Sequence, residues 1–207
     1  ATMPIAPDVL TALVPQPYAT IRGEVRDGDI LLCSANDRFS RLIRWATRSP
    51  WSHVAIAFRM EAIDRVMVLE CVAKIGVRAV PLSNFIARTS GGIAPYPGQI
   101  LLARHKGMSA KARSRPMKRI AEFAFDRLGN RFSQAEALKI ALRIAMGRFE
   151  RRMPRMLGPK DEFICSEYVA RSLKAVGVEI PWDGLGFIAP SDFACDPRID
   201  AVAQIKT

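Results

Sequence analysis

The sequence predicts an α+β domain in which an antiparallel sheet packs against helices, and three features carry that expectation. Between Ser52 and Arg104 short apolar runs alternate with turn-prone residues, the pattern of consecutive strands. After Lys106 the apolar spacing changes to three and four residues, which is the period of helices. The 207 residues, 49% hydrophobic and 25% charged, suit one folded domain with its own core better than two cramped ones.

Taken in order, Asp27-Gly28-Asp29 is turn chemistry feeding a short apolar strand at Ile30 to Leu32. Asn36 or Asp37 can cap the helix that follows. In it Phe39, Leu42, Ile43 and Ala46 recur at helical spacing, Arg38, Arg41, Arg44 and Arg48 take other faces, and Ser49-Pro50 ends it. Strands are expected at His53 to Phe58, Val66 to Val72, Gly76 to Val80 and Gln99 to Arg104, arranged as an antiparallel meander. Gly91, Gly92, Pro95 and Pro97 make Ser83 to Gly98 a long irregular connection, the kind that often borders a site. Ser114 and Pro116 open a helix carrying Ile120, Phe123, Ala124 and Leu128, which Gly129-Asn130 ends. Ser133 and Glu136 then form a capping box for a second helix, with a stripe of Leu138, Ala141, Leu142 and Ala145. Arg148 to Lys160 is basic and holds two prolines, so it reads as a loop. A third helix is expected from near Ile164 to Val176, with Cys165 in its first turn and Gly177 at its end, and the tail from Glu179 is turn-rich.

Several classes of function drop out. The longest apolar stretches are strand-sized, far short of the roughly 18 to 20 residues that cross a bilayer. The N-terminal residues show no basic segment followed by an apolar one, so a cytoplasmic protein is expected. Four scattered cysteines without a C-x-x-C pair, and only His53 and His105 beside them, make no metal site, and reduced thiols are expected. Thirty-one basic against twenty acidic residues give a net charge of +11, which would attract a polyanion, an anionic membrane surface or an acidic substrate. With few aromatics and no recognition motif, nucleic acid is not expected. Arg148, Arg151, Arg152 and Arg155, interleaved with Phe149, Met153 and Met156, could meet an anionic membrane, the alternative being an ordinary solvated face. His105 reads as a surface residue.

The chemistry concentrates in three residues. A thiol attacks as thiolate, and free amides at a helix N-terminus stabilise that charge, which is where Cys165 is expected. The same amides can receive the oxyanion of an attacked carbonyl. Read blandly, Cys165 is a small buried hydrophobe. His53 opens a strand after Pro50-Trp51-Ser52 and could take a proton, or be a structural histidine. Glu70 interrupts a strand otherwise built for burial, and a hairpin around Arg59 to Arg65 would bring it beside His53, although a solvated edge charge is the commoner use.

The strings Gly28-Asp-Ile-Leu-Leu32, Ser40-Arg-Leu-Ile-Arg-Trp-Ala-Thr-Arg-Ser-Pro-Trp-Ser-His-Val-Ala-Ile56, Val68-Leu-Glu70, Phe163-Ile-Cys-Ser-Glu-Tyr-Val169 and Ile188-Ala-Pro-Ser-Asp192 resemble the permuted papain-like amidases of the YiiX and YaeF group, in the NlpC superfamily and similar in layout to lecithin retinol acyltransferase. The order His53, Glu70, Cys165 matches that group's histidine strand before its cysteine helix. The resemblance implies a circularly permuted papain-like fold over residues 23–207, with an N-terminal extension at 1–22 and a helical, basic insertion around 133–160. It also implies a cysteine hydrolase that cleaves an amide or ester through an acyl-thioester, with Cys165 as nucleophile, His53 as base, Glu70 as orienter and no cofactor. Ser166, Trp51 and Ser52 are expected on the substrate side. A thiol acyltransferase and a non-catalytic basic binding module are the alternatives. The substrate would be a small molecule, a peptide or an acyl chain, an apolar cleft favouring the last.

Overall fold

The computed structural model describes residues 5, 7–73, 75–87, 94–108, 116–132, 162–182 and 187–207. The helix expected after Ser133 and the basic loop to Lys160 lie outside them. Six strands form one antiparallel sheet in the order β4-β3-β2-β1-β5-β8. They are β1 (Ile30–Ala35), β2 (His53–Met60), β3 (Arg65–Val72), β4 (Gly76–Pro81), β5 (Gly98–His105) and β8 (Ile199–Ile205). Two short strands, β6 (Arg131–Phe132) and β7 (Glu162–Phe163), pair in parallel beside it.

Strand β1 is buried along its whole length because both faces of the sheet are covered. Alternation along the strands sends Ile30, Leu32, Val54, Ile56 and Leu69 to one side. There they meet Ile120 and Ala124 of α5 (Pro116–Phe125), and Tyr168, Val169 and Leu173 of α6 (Cys165–Lys174). On the other side Leu31, Ala55, Ala57 and Val68 meet Ile21 of α2 (Tyr18–Ile21), and Leu82 and Phe85 of α4 (Leu82–Ala87). The Tyr168 hydroxyl donates to the Ala124 carbonyl at 2.8 Å and fixes α6 on α5. Gly76, at φ +88°, starts β4 where a Cβ would lie 2.0 Å from the Asn130 carbonyl oxygen, so only glycine fits that approach.

The expected meander of the strands between Ser52 and Arg104 holds from β2 to β4, but β5 crosses to the free edge of β1. The connection before it is long enough to make that crossing, and its first part is helical rather than irregular, since Leu82 and Phe85 are apolar enough to bury. The tail is also more regular than its prolines suggested. Pro190 starts α7 (Pro190–Cys195), a position where no N–H is needed, and Ile199–Ile205 pairs with β5. These elements cover the end of β5, so His105 is buried, not on the surface. Its Nδ1 accepts from the Gly107 N–H at 2.9 Å, and its Nε2 lies 3.6 Å from the Asp196 carboxylate. The N-terminal residues are packed as well. α1 is Pro7–Ala12, Ile5 is buried against Ala194, and Gln16 exchanges backbone hydrogen bonds with Gln204 and Lys206 along β8.

Candidate active site

Asp37 caps α3 (Arg38–Thr47) by accepting from the Phe39 and Ser40 N–H groups at 3.1 and 3.0 Å, and Arg48 ends it in the left-handed region at φ 48°. The helix's apolar side meets a cleft instead of the core, leaving Phe39 and Leu42 partly exposed. Immediately after it, Ser52 ties the start of β2 to the end of β1. Its hydroxyl accepts from the Ala35 N–H at 3.1 Å and donates to the Cys33 carbonyl at 3.3 Å, while its own N–H donates to the same carbonyl at 2.9 Å. This brace sets the position of His53, the first residue of the strand.

The β2–β3 hairpin turns at Glu61–Ile63, with Asp64 at φ 48°. Its register pairs Ile56 with Leu69, so the next step inward sets Glu70 opposite the small Ala55 and diagonal to His53 on one face. The His53 Nε2 lies 2.6 Å from Glu70 Oε2. On the other side β4 places Arg78 directly opposite Glu70, with Nε and Nη2 at 2.8 and 2.6 Å from Oε1. The carboxylate is therefore buried with both oxygens engaged.

Cys165 is the first residue of α6, preceded by the extended Ile164, which offers no side chain to cap the helix. The first-turn donors are left for the sulfur. The Ser166 and Val54 backbone N–H groups and the His53 ring all hydrogen-bond it. Because Nε2 faces Glu70, Nδ1 is the ring nitrogen left for the thiol.

Burial alone would keep the thiol and imidazole neutral, yet each supplies the other's counter-charge. For His53, burial is outweighed by the Cys165 and Glu70 charges, which raise its pKa to about 10. For Cys165, burial is outweighed by His53 and the two backbone donors, which hold the thiol below its ordinary value. Glu70 also stays below the usual carboxylate value despite burial, through His53 and then Arg78. The shifts run in the direction that favours a thiolate–imidazolium pair backed by a carboxylate. Cys71 lines the same cleft but differs: burial, then the Cys165 and Glu70 charges, push its thiol well up, so it stays protonated.

The cleft above these groups has a volume of about 540 Å³, within the range of small-molecule sites. Phe39, Ile43, Ile75, Val80, Phe85 and Phe187 give it largely apolar walls, with Asp37, Asn84 and Arg78 among the polar exceptions.

The structure thus brings Cys165, His53 and Glu70 together. Ser166 is buried, and its hydroxyl donates to the Ile188 carbonyl at 2.5 Å, bracing α6 against the segment before α7. Asp192 caps α7 by accepting from the Ala189 N–H at 2.7 Å. Ser52 borders the cleft, but its hydroxyl is engaged with β1. Trp51, expected on the substrate side, is fully buried and does not line the cleft, because its ring packs in the core cluster with Ile5 and its Nε1 donates to the Ile5 carbonyl at 3.5 Å. Arg78 and the Val54 amide were not expected. The signal for Arg78 was an acid and a base at matching positions across a tight hairpin; a backbone amide carries no sequence signal.

No curated protein matches the chain. Among solved structures five chains match, one of them described as the metalloprotein YiiX from Escherichia coli O157:H7. That alignment has a TM-score of 0.60 and 18% sequence identity, and covers 88% of this chain and 98% of that one, a likeness of fold. Among the described residues of this chain no group of three or more His, Cys, Asp or Glu side chains could hold a metal ion. The family model for permuted papain-like amidase enzymes, YaeF/YiiX, C92 family, matches residues 24–203. A mixed sheet-and-helix fold with its histidine strand ahead of its cysteine helix, matched to that model over most of its length, places this chain among the permuted papain-like amidases of the C92 family, which are cysteine peptidase-like hydrolases.

Proposed function

We propose that this chain cleaves an amide or ester bond whose acyl part is apolar, through a thioester on Cys165. The observation that supports it most is the position of the His53 ring between the Cys165 thiol and the Glu70 carboxylate. The thiolate adds to the carbonyl carbon, and the oxygen takes the negative charge. The Cys165 amide receives that charge, and the Val54 N–H follows it as the sulfur loses its own. Collapse of the tetrahedral adduct breaks the bond to nitrogen or oxygen, and the imidazolium gives its proton to the leaving group. Now neutral, His53 takes a proton from water, which attacks the thioester; the acid leaves and the thiolate–imidazolium pair returns. Glu70 holds the ring throughout and offsets its charge.

Apolar walls favour an acyl chain over a charged peptide, and they equally suit transfer to an amine or alcohol in place of water. Product analysis with and without added amine separates the two outcomes. The chemistry itself is tested with limiting iodoacetamide at neutral pH and with mass spectrometry after a p-nitrophenyl acyl ester. Cys165 is expected to alkylate ahead of Cys33, Cys71 and Cys195, and to carry the acyl group, with both events lost in Cys165→Ala. Equal labelling of all four thiols with no acyl adduct would favour a non-catalytic binding module instead.

A further inference from the structure

Helix α3 carries more exposed apolar surface than a free helix face needs. Trp45 is 65% exposed, Phe39 42% and Leu42 37%. Spaced three residues apart, they form a ridge that climbs from the cleft wall, where Phe39 and Leu42 lie, to the outer surface at Trp45. On the other lip of the cleft, Ile75 lines the opening and is 58% exposed. Arg38 and Arg41 are exposed on the outward side of the same helix, next to Trp45 by helical spacing, and Arg48 is exposed at the helix's C-terminal end.

We propose that α3, with Ile75 across the cleft mouth, is a membrane-interface contact that seats this chain on a bilayer containing anionic lipid. Trp45, Phe39 and Leu42 enter the headgroup layer, where an indole ring is well placed, and the arginines meet lipid phosphates. Charge selects this occupant. A second copy would set arginines against arginines, whereas an anionic bilayer offers phosphates around an apolar interior and matches both halves of the face. The cleft mouth then opens at the lipid surface.

The test uses the full chain, with vesicles of phosphatidylcholine alone or mixed with phosphatidylglycerol, some carrying brominated lipid. Trp51 is fully buried and Trp182 partly so, which makes Trp45 the exposed reporter. Brominated lipid in the mixed vesicles is expected to quench indole emission in the wild type. In Trp45→Phe that quenching is lost while binding persists. Trp45→Ala weakens binding about tenfold, the order expected when most of an indole no longer leaves water. Replacing Arg38, Arg41 and Arg48 by Gln weakens it roughly fivefold per charge. The proposal is overturned if the chain stays off the mixed vesicles, or if it binds them without quenching of Trp45, which would mean attachment through another surface. It is also overturned if Trp45 is already shielded from aqueous quencher in a dimer. None of these readouts involves turnover, so their failure is distinct from failure of the acyl-thioester chemistry.

Discussion

Glu70 and Arg78 face each other across the β3–β4 pair, and together with His53 they leave neither oxygen of the carboxylate unengaged. A buried carboxylate with one guanidinium and one imidazolium stays ionised and cannot turn. In the proposed reaction Arg78 is thereby a positioning residue that reaches Cys165 through two intermediaries.

Replacing Glu70 by Gln keeps the shape but removes the charge that holds the ring as imidazolium. Turnover is expected to fall by about 10²- to 10⁴-fold, in line with the loss of an orienting carboxylate elsewhere. His53 should then titrate below about 10. Arg78→Gln should act more mildly: the Glu70 pKa rises, and kcat falls further than KM changes. Arg78→Lys restores part of the loss. Stopped-flow kinetics and a pH series check these outcomes, and a change confined to KM would make Arg78 a substrate contact instead.

The paired shifts fix the pH dependence. His53 is raised from 6.5, so its contribution to stability is complete below 6.5 and lost as pH rises through about 10. Cys165 is lowered from 9.0, so its contribution is complete above 9.0 and lost as pH falls through its lowered value. Just below 9.0 the two slopes oppose each other and offset, so stability from this pair should be flat there and decline from 9.0 toward about 10. In Cys165→Ala the alkaline limb should move down from about 10, because His53 loses the charge that raises it most, and urea midpoints across pH would record the shift. Activity should hold to an alkaline limb near 10.

Ser166→Ala leaves the buried Ile188 carbonyl without its donor. A loss of about 1–3 kcal/mol is expected from the orphaned acceptor. Thermal melting measures it, while Cys165 should still alkylate ahead of Cys71.

Trp51 lies beneath the site without touching the cleft. Trp51→Phe should leave KM unchanged, and Trp51→Ala should cost about 3–5 kcal/mol by denaturant titration, the range for emptying a core aromatic site. A raised KM in the folded Phe variant would return this residue to the substrate side.

What the sequence disclosed follows from how local each feature is. Cys165 was legible because Gly177 and an apolar stripe mark one helix with the cysteine at its start. Glu70 was legible because a short hairpin has a forced register. β8 was hidden by prolines that turn out to precede it, and His105 by the tertiary cover that β8 provides. Period alone marks α3 as amphipathic; it does not tell whether the apolar side meets a core or a cavity, and here it meets the cleft.

The division of the proposed catalytic groups along the chain has a consequence for how the site is assembled. His53, Glu70 and Arg78 assemble from one contiguous three-stranded segment, whereas Cys165 joins them only when α6 docks across the sheet. Until that helix docks, the sulfur lacks the His53 ring and the Val54 amide that lower its pKa and is an ordinary, sluggish thiol, so seating α6 on the sheet is the step that activates it.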